Sequence, residues 1–243
     1  PKGYLETQGI TFDSLRDTNP GLIWVRLTPF GDDGPWSSFK GSDLVHLALG
    51  GVMMNTGYDP DPITKRYDLP PIAPQMFHAY HVAGQQTVIA TIGALMYQQA
   101  TGKGQFLSTA IHEAVSKNTE TDMPSWIYQR QPYMRQTCRH AAATLTPRSL
   151  ALTKDGRHIM ARSLSPRPEA LFEFLDAYGC ADDLMDEKYK DPEYLRLPEV
   201  DRHINDVTHR FVIQCNFEGP WHEAQQRGQI WAPARKPEEN LPD

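Results

Sequence analysis

The stretch Pro74-Gln-Met-Phe-His-Ala-Tyr-His-Val-Ala-Gly84 sets two histidines and a tyrosine at the mouth of an apolar segment that holds no carboxylate. His78 and His81 are three residues apart, so on a helix they share a face. Three readings fit. Two imidazoles supply two metal ligands, but a catalytic zinc site needs a third and no partner is apparent. One imidazole could serve as a general base, because histidine titrates near the pH of the cell. Or both pack beside a polar pocket. The spacing leaves all three open, with a metal the least supported.

A second cluster is Lys40-Gly-Ser-Asp43. A lysine, a glycine that permits close backbone approach and a helix start together favour an anionic group. A well-capped helix explains the same residues equally well. Thr101-Gly-Lys-Gly-Gln105 resembles a phosphate loop only superficially, since it lacks the full spacing and precedes a strand. A glycine-supported turn is the better reading. No Gly-x-Ser-x-Gly elbow is present, so a serine hydrolase of that type is unsupported.

These residues need elements to hold them. Leu22–Leu27 reads as a short, mostly buried strand, followed by a loop of turn formers, residues 28–35. In an open α/β sheet, ligands gather at that end of a strand. Ser42 or Asp43 then caps a helix. Residues 58–73 read as loop. From His78 to Ala100 runs the longest helical pattern, with Val82, Val88, Ile89, Ile92, Leu95 and Met96 on one side and Gly102 as C-cap. Gln105–Ile111 is a strand, and His112 to about Tyr128 a helix that Pro124 kinks or divides. Strand, helix, strand, helix implies an α/β layer with partly parallel pairing. Residues 131–149 read as an irregular crossing to a second, smaller and more helical domain. There, Leu150–Thr153 and His158–Ala161 form a hairpin, and helices cover 169–178, 200–215 and 221–227.

The bulk numbers narrow the class. With 243 residues, 40% hydrophobic and 22% charged, the chain has the composition of an ordinary soluble protein. A formal charge of −6 argues against nucleic acid as partner. The most apolar window, Val88–Met96, is too short to span a bilayer. Cys138, Cys180 and Cys215 fit neither a disulfide framework nor a zinc site, which points to a reducing compartment and the cytoplasm. The chain starts at Pro1, as a processed chain or an excerpt would.

Four segments together resemble the family III CoA-transferases, the group of formyl-CoA transferase, carnitine CoA-transferase and the α-methylacyl-CoA racemases. Asn19-Pro-Gly-Leu-Ile-Trp-Val-Arg-Leu-Thr-Pro-Phe-Gly-Asp-Asp-Gly-Pro35 is similar to the family's Asn-Pro-x-Leu-Ile strand and Phe-Gly-x-x-Gly-Pro loop. Lys40-Gly-Ser-Asp-Leu-Val-His-Leu-Ala-Leu-Gly-Gly51 resembles the segment that follows it, and Thr101-Gly-Lys-Gly-Gln105 the Thr-Gly-x-Gly-Gln turn. Ala232-Pro-Ala234 with Lys236-Pro-Glu-Glu239 is similar to the C-terminal Ala-Pro-Val and Pro-Glu-Glu region.

The resemblance implies an α/β fold: part of a Rossmann-like large domain over residues 1–137, and a small domain with the start of a return segment over 138–243. It also implies an interlocked dimer, either a homodimer or a heterodimer with a paralogue. Coenzyme A would be handled as acyl-CoA, with a carboxylic acid as its exchange partner and no metal. Members are much longer, so this chain resembles a central excerpt. Lys40, Gly41, Ser42 and Asp43 fall where members touch CoA, and Asp43 matches an acidic residue they carry. Their aspartate nucleophile precedes the long helix, and Tyr80 falls at or next to its position. The racemases' histidine is replaced by Ser42. The implied activity is CoA transfer, with Asp43, His78, Tyr80 and His81 as the catalytic candidates. The alternatives are a non-catalytic CoA-binding subunit beside an active paralogue, or altered acyl-CoA chemistry with His78 or His81 as base.

Overall fold

Residues 3–119, 121–161 and 168–241 are described by the computed structural model, and two units, Pro1–Thr144 and Leu145–Asp243, each hold their own core.

The first unit begins with two short helices, α1 (Tyr4–Thr7) and α2 (Phe12–Arg16). The strand β1 (Trp24–Thr28) pairs in parallel with β2 (Phe106–Ala110), from Trp24 opposite Phe106 to Thr28 opposite Ala110. A parallel pair needs a long crossover. It is supplied by α3 (Asp43–Leu49), a loop and the 24-residue α4 (His78–Thr101). After β2 the chain turns directly into α5 (Ile111–Ser116).

Leu47, Ala79, Ala83, Ile111, Ala114 and Val115 form the core between α3, α4 and α5. The buried residues of α4 are Ala79, Ala83 and Ala94. Small side chains let helices approach closely, so α4 packs through its alanines. The aliphatic side faces out: Val88, Ile89, Ile92, Leu95 and Met96 are all exposed, Ile89 by 70%.

The Thr101–Gln105 turn is a backbone crossing. Gly102 ends α4 at φ 72°, in the left-handed region that favours glycine. The Gly104 N–H donates to Pro20 O at 2.7 Å. A Cβ on Gly104 would fall 1.8 Å from Leu22 O, so only glycine fits there.

The expected long helix after His112 is broken earlier than Pro124. α5 stops at Ser116, and α6 (Asp122–Pro124) runs into a wide turn, Ser125–Gln129. Residues 131–149, expected as irregular, contain the antiparallel pair β3 (Met134–Gln136) and β4 (Arg139–Ala142). Asp59 ties the preceding loop to this pair, accepting from Thr137 N at 2.9 Å and Arg139 Nη2 at 2.7 Å.

The second unit is a three-stranded antiparallel sheet of order β5 (Leu150–Leu152), β6 (His158–Ala161), β7 (Trp231–Pro233). It carries α7 (Pro168–Asp176), the short α8 (Pro192–Leu195), α9 (Pro198–Val212) and α10 (Pro220–Gln226). On α9, Val200, Ile204, Val207, Phe211 and Val212 are buried, the stripe of a helix with one apolar face. They meet Leu171, Phe174 and Leu175 of α7, and Trp231, in one core.

Candidate functional site

The site candidates gather where α3 and α4 begin. Ser42 is the N-cap of α3, its Oγ accepting from Val45 N at 3.4 Å. Asp43 is the first helical residue and has a second role: its Oδ1 accepts the Ala79 N–H at 2.8 Å. α4 needs this acceptor. Its own N-cap, Phe77, lies at φ 51° and offers no side-chain bond to the first turn, whose N–H groups have no partner within the helix. A carboxylate there also faces the positive end of the helix dipole.

That contact fixes the next residues. Tyr80 and His81 line an open surface groove of about 600 Å³ together with Gly84, Gln85, Val88 and Ile89, and Tyr80, Val88 and Ile89 are themselves exposed. His78, on the same turn, is half-buried and does not line it. Among the described residues, His78 and His81 find no third His, Cys, Asp or Glu side chain with which to hold a metal. Lys40 is exposed and Gly41 half-buried.

Two further imidazoles, not singled out from the sequence, sit behind the candidates. His46 is fully buried, and neither ring nitrogen has a hydrogen-bond partner among the described residues. Its ring lies 4.9 Å from Phe30 and 6.4 Å from Tyr80, centroid to centroid. His112 packs on Phe30 at 5.5 Å and on Trp36 at 5.2 Å, and its Nδ1 is buried without a partner. Burial, and secondarily the nearby His112, push the His46 pKa below its usual value, while Asp43 opposes this. His46 is therefore neutral at pH 7. The signal available in the sequence was the spacing of Asp43 and His46, three apart on one helix face.

Comparison with known proteins decides the family. A model of CoA-transferase family III matches residues 1–241. The chain belongs to that family. Among family III proteins, it is 30% identical over 145 residues to the succinyl-CoA:(R)-benzylsuccinate CoA-transferase subunit BbsE of Thauera aromatica, covering 60% of this chain and 33% of that protein. It is 33% identical over 113 residues to the formyl-CoA:oxalate CoA-transferase of Streptomyces avermitilis, 46% of this chain and 25% of the relative. The crystal structure of a CaiB/BaiF family protein from Brucella suis superposes with a TM-score of 0.74 at 20% identity, over 99% of this chain and 60% of that one. That likeness shows the fold, the α/β architecture of family III. The chain spans a third or less of the length of these two relatives. The family match takes in every residue of the site, from Lys40 to His112.

Proposed function

We propose that this chain is the CoA-handling part of an enzyme that transfers CoA between an acyl-CoA and a carboxylic acid. The observation that carries the reading is the family III match along residues 1–241. In this reading Lys40, Gly41 and Ser42 meet the CoA moiety, with the exposed lysine as a cation for its phosphates. Tyr80 and His81 face the thioester at the head of the groove, and Gly84, Val88 and Ile89 line the acyl group's path. Asp43 holds the turn that presents them.

The family's reaction needs a carboxylate that accepts the acyl group and later releases it. The resemblance sets that carboxylate at or beside Tyr80, and the sequence has no Asp or Glu between Asp68 and Glu113. A phenol with an ordinary pKa of about 10 is mostly protonated at neutral pH and is a poor substitute. The carboxylate is therefore supplied by another residue or by a second subunit. The same observation favours a second reading, a non-catalytic partner of an aspartate-bearing paralogue; BbsE is itself named as a subunit. On either reading the assembly is a homodimer or heterodimer. The free thiols of Cys138, Cys180 and Cys215 support a cytoplasmic setting. No helix among the described residues is long and apolar enough to cross a membrane.

Equilibrium binding of CoA to the chain tests the shared part of both readings. Binding that weakens about tenfold in Lys40→Ala, roughly 1.4 kcal/mol, is the expected result. An unchanged affinity in that variant removes the assigned CoA contact, and no binding at all removes CoA handling by this chain.

A further inference from the structure

His46 has no place in the transfer reaction described above, yet its surroundings are unusual for an imidazole. It is fully buried, and among the described residues neither nitrogen finds a donor or acceptor. Buried polar groups are nearly always hydrogen-bonded, because leaving one unpaired costs about 1–3 kcal/mol. The ring is held by shape instead. Phe30 covers it at 4.9 Å, Tyr80 meets it edge-on at 6.4 Å, and His112 shares the Phe30 ring. On its remaining side lies Gly41, where an added Cβ would stand 2.4 Å from His46 Nε2. The imidazole thus fills the angle between the Gly41 backbone and the first turn of α4. Three residues earlier on the same helix, Asp43 bonds Ala79.

We infer that His46 is a positioning residue: its uncharged ring is the wedge that keeps Asp43 on Ala79 and Tyr80 at the groove, and protonating that ring releases the first turn of α4. An imidazolium carries two N–H donors, and the enclosure supplies no acceptor for either. The titratable groups facing it are Asp43 from its own helix, His112 from α5 and Tyr80 from α4. Of these, Asp43 alone favours the added charge, and its Oδ1 is already engaged with Ala79. His112 opposes it. The junction is therefore closed near neutral pH and opens as the pH falls below the ordinary histidine range.

Amide hydrogen exchange on the whole chain, corrected for the intrinsic effect of pH, reads this without any ligand. Between pH 7.5 and 5.0 the protection of Ala79 and His81, whose N–H groups bond Asp43 Oδ1 and Phe77 O, should fall by at least about tenfold, the equivalent of one pH unit of linkage. Leu47 and Val115 should stay protected. His46→Phe, which keeps a ring and loses the charge, should abolish the response. His112→Gln should move its midpoint up in pH, because the opposing imidazole is gone. Unchanged protection in the wild type, an equal response in His46→Phe, or loss spread evenly over the unit would each overturn the inference. Should His46→Phe not fold, the wild-type titration and the His112→Gln midpoint still decide it.

Discussion

Asp43 and Ala79 are 36 residues apart in sequence, and Asp43 Oδ1 accepts the Ala79 N–H at 2.8 Å. One carboxylate thereby joins the start of α3 to the start of α4. The joint is needed because α4 opens from two left-handed residues, Met76 at φ 48° and Phe77 at φ 51°, and brings no cap of its own.

Replacing this acceptor should cost what a helix cap costs. Asp43→Ala is expected to lower the stability of the first unit by about 1 kcal/mol. Asp43→Asn keeps an acceptor oxygen and should lose only a few tenths. Urea unfolding of the two variants against the wild type reads the difference. Equal losses would mean that the bond to Ala79 contributes nothing.

Gly104→Ala should be far worse. Its Cβ would meet Leu22 O at 1.8 Å, and backbone on both sides leaves no flexible side chain to give way. The expected destabilisation is about 3 kcal/mol or more, at the upper end for overpacking, seen as a lower urea midpoint. Lys103→Ala, on the same turn, should be close to neutral for stability and for nucleotide binding. A clear loss of nucleotide binding in that variant would revive the phosphate-loop reading.

In the second unit, Phe174 is fully buried and packs edge-on against Phe211 at 5.5 Å and Trp231 at 5.6 Å. Phe174→Ala leaves a large cavity and should cost about 3–5 kcal/mol. Thermal unfolding followed by Trp231 fluorescence measures it, with the other tryptophans replaced by phenylalanine in both proteins. A loss under about 1 kcal/mol would mean that the core is not centred on this ring.

The pH dependence has two sources with known signs. Burial, the first cause for both His46 and His209, holds each pKa below its usual 6.5. The unfolded chain then binds more protons as pH falls below 6.5, so stability is full above that value and declines beneath it. Asp183 acts lower down. Burial raises its pKa, but bonds from Lys188 Nζ at 2.6 Å and Tyr189 OH at 3.0 Å, with His203 Nε2 at 2.6 Å, outweigh this and lower it below 3.8. Its contribution is present above 3.8 and fades as pH drops through the range beneath. Melting temperature should therefore decline in two stages, and Asp183→Asn should flatten the lower one. Its carboxylate is about one-third exposed, so the effect is modest. An unaltered lower limb in that variant would assign acid unfolding elsewhere.

Much of the fold was legible because its signals are local. Gly102 after a long helical pattern marked the end of α4, and Asp155-Gly156 between two short apolar runs marked the β5–β6 hairpin. What was hidden depends on neighbours distant in sequence. On α4 the sequence offered an aliphatic stripe and a set of small residues, Ala83, Gly84, Ala90, Gly93 and Ala94, thin enough for close packing, and it is Ala79 and Ala83 that enter the core with α3 and α5. Periodicity alone does not say which of the two faces is covered, because that depends on what α3 and α5 bring to it. At the site, Tyr80 and His81 line one open groove, and Asp43 bonds the turn that carries them. His46 is not marked by its own segment, in which nothing tells that Phe30, Gly41 and Tyr80 close around it.

The central claim is that this chain handles CoA for a transfer reaction. The most direct measurement mixes the chain, alone and with an aspartate-bearing relative, with a panel of acyl-CoAs and free acids, and follows CoA exchange by mass spectrometry. Exchange by the chain alone, or exchange above what the relative achieves by itself, is predicted. Exchange by the chain alone would be traced through Tyr80→Phe, His78→Ala and His81→Ala to the residue that replaces the aspartate. Exchange that needs the relative, and rises above what the relative achieves by itself, would make the chain a supporting subunit. No exchange by the chain alone and none above the relative's own, with CoA still bound, would contradict the transfer account and leave histidine-based acyl-CoA chemistry in its place.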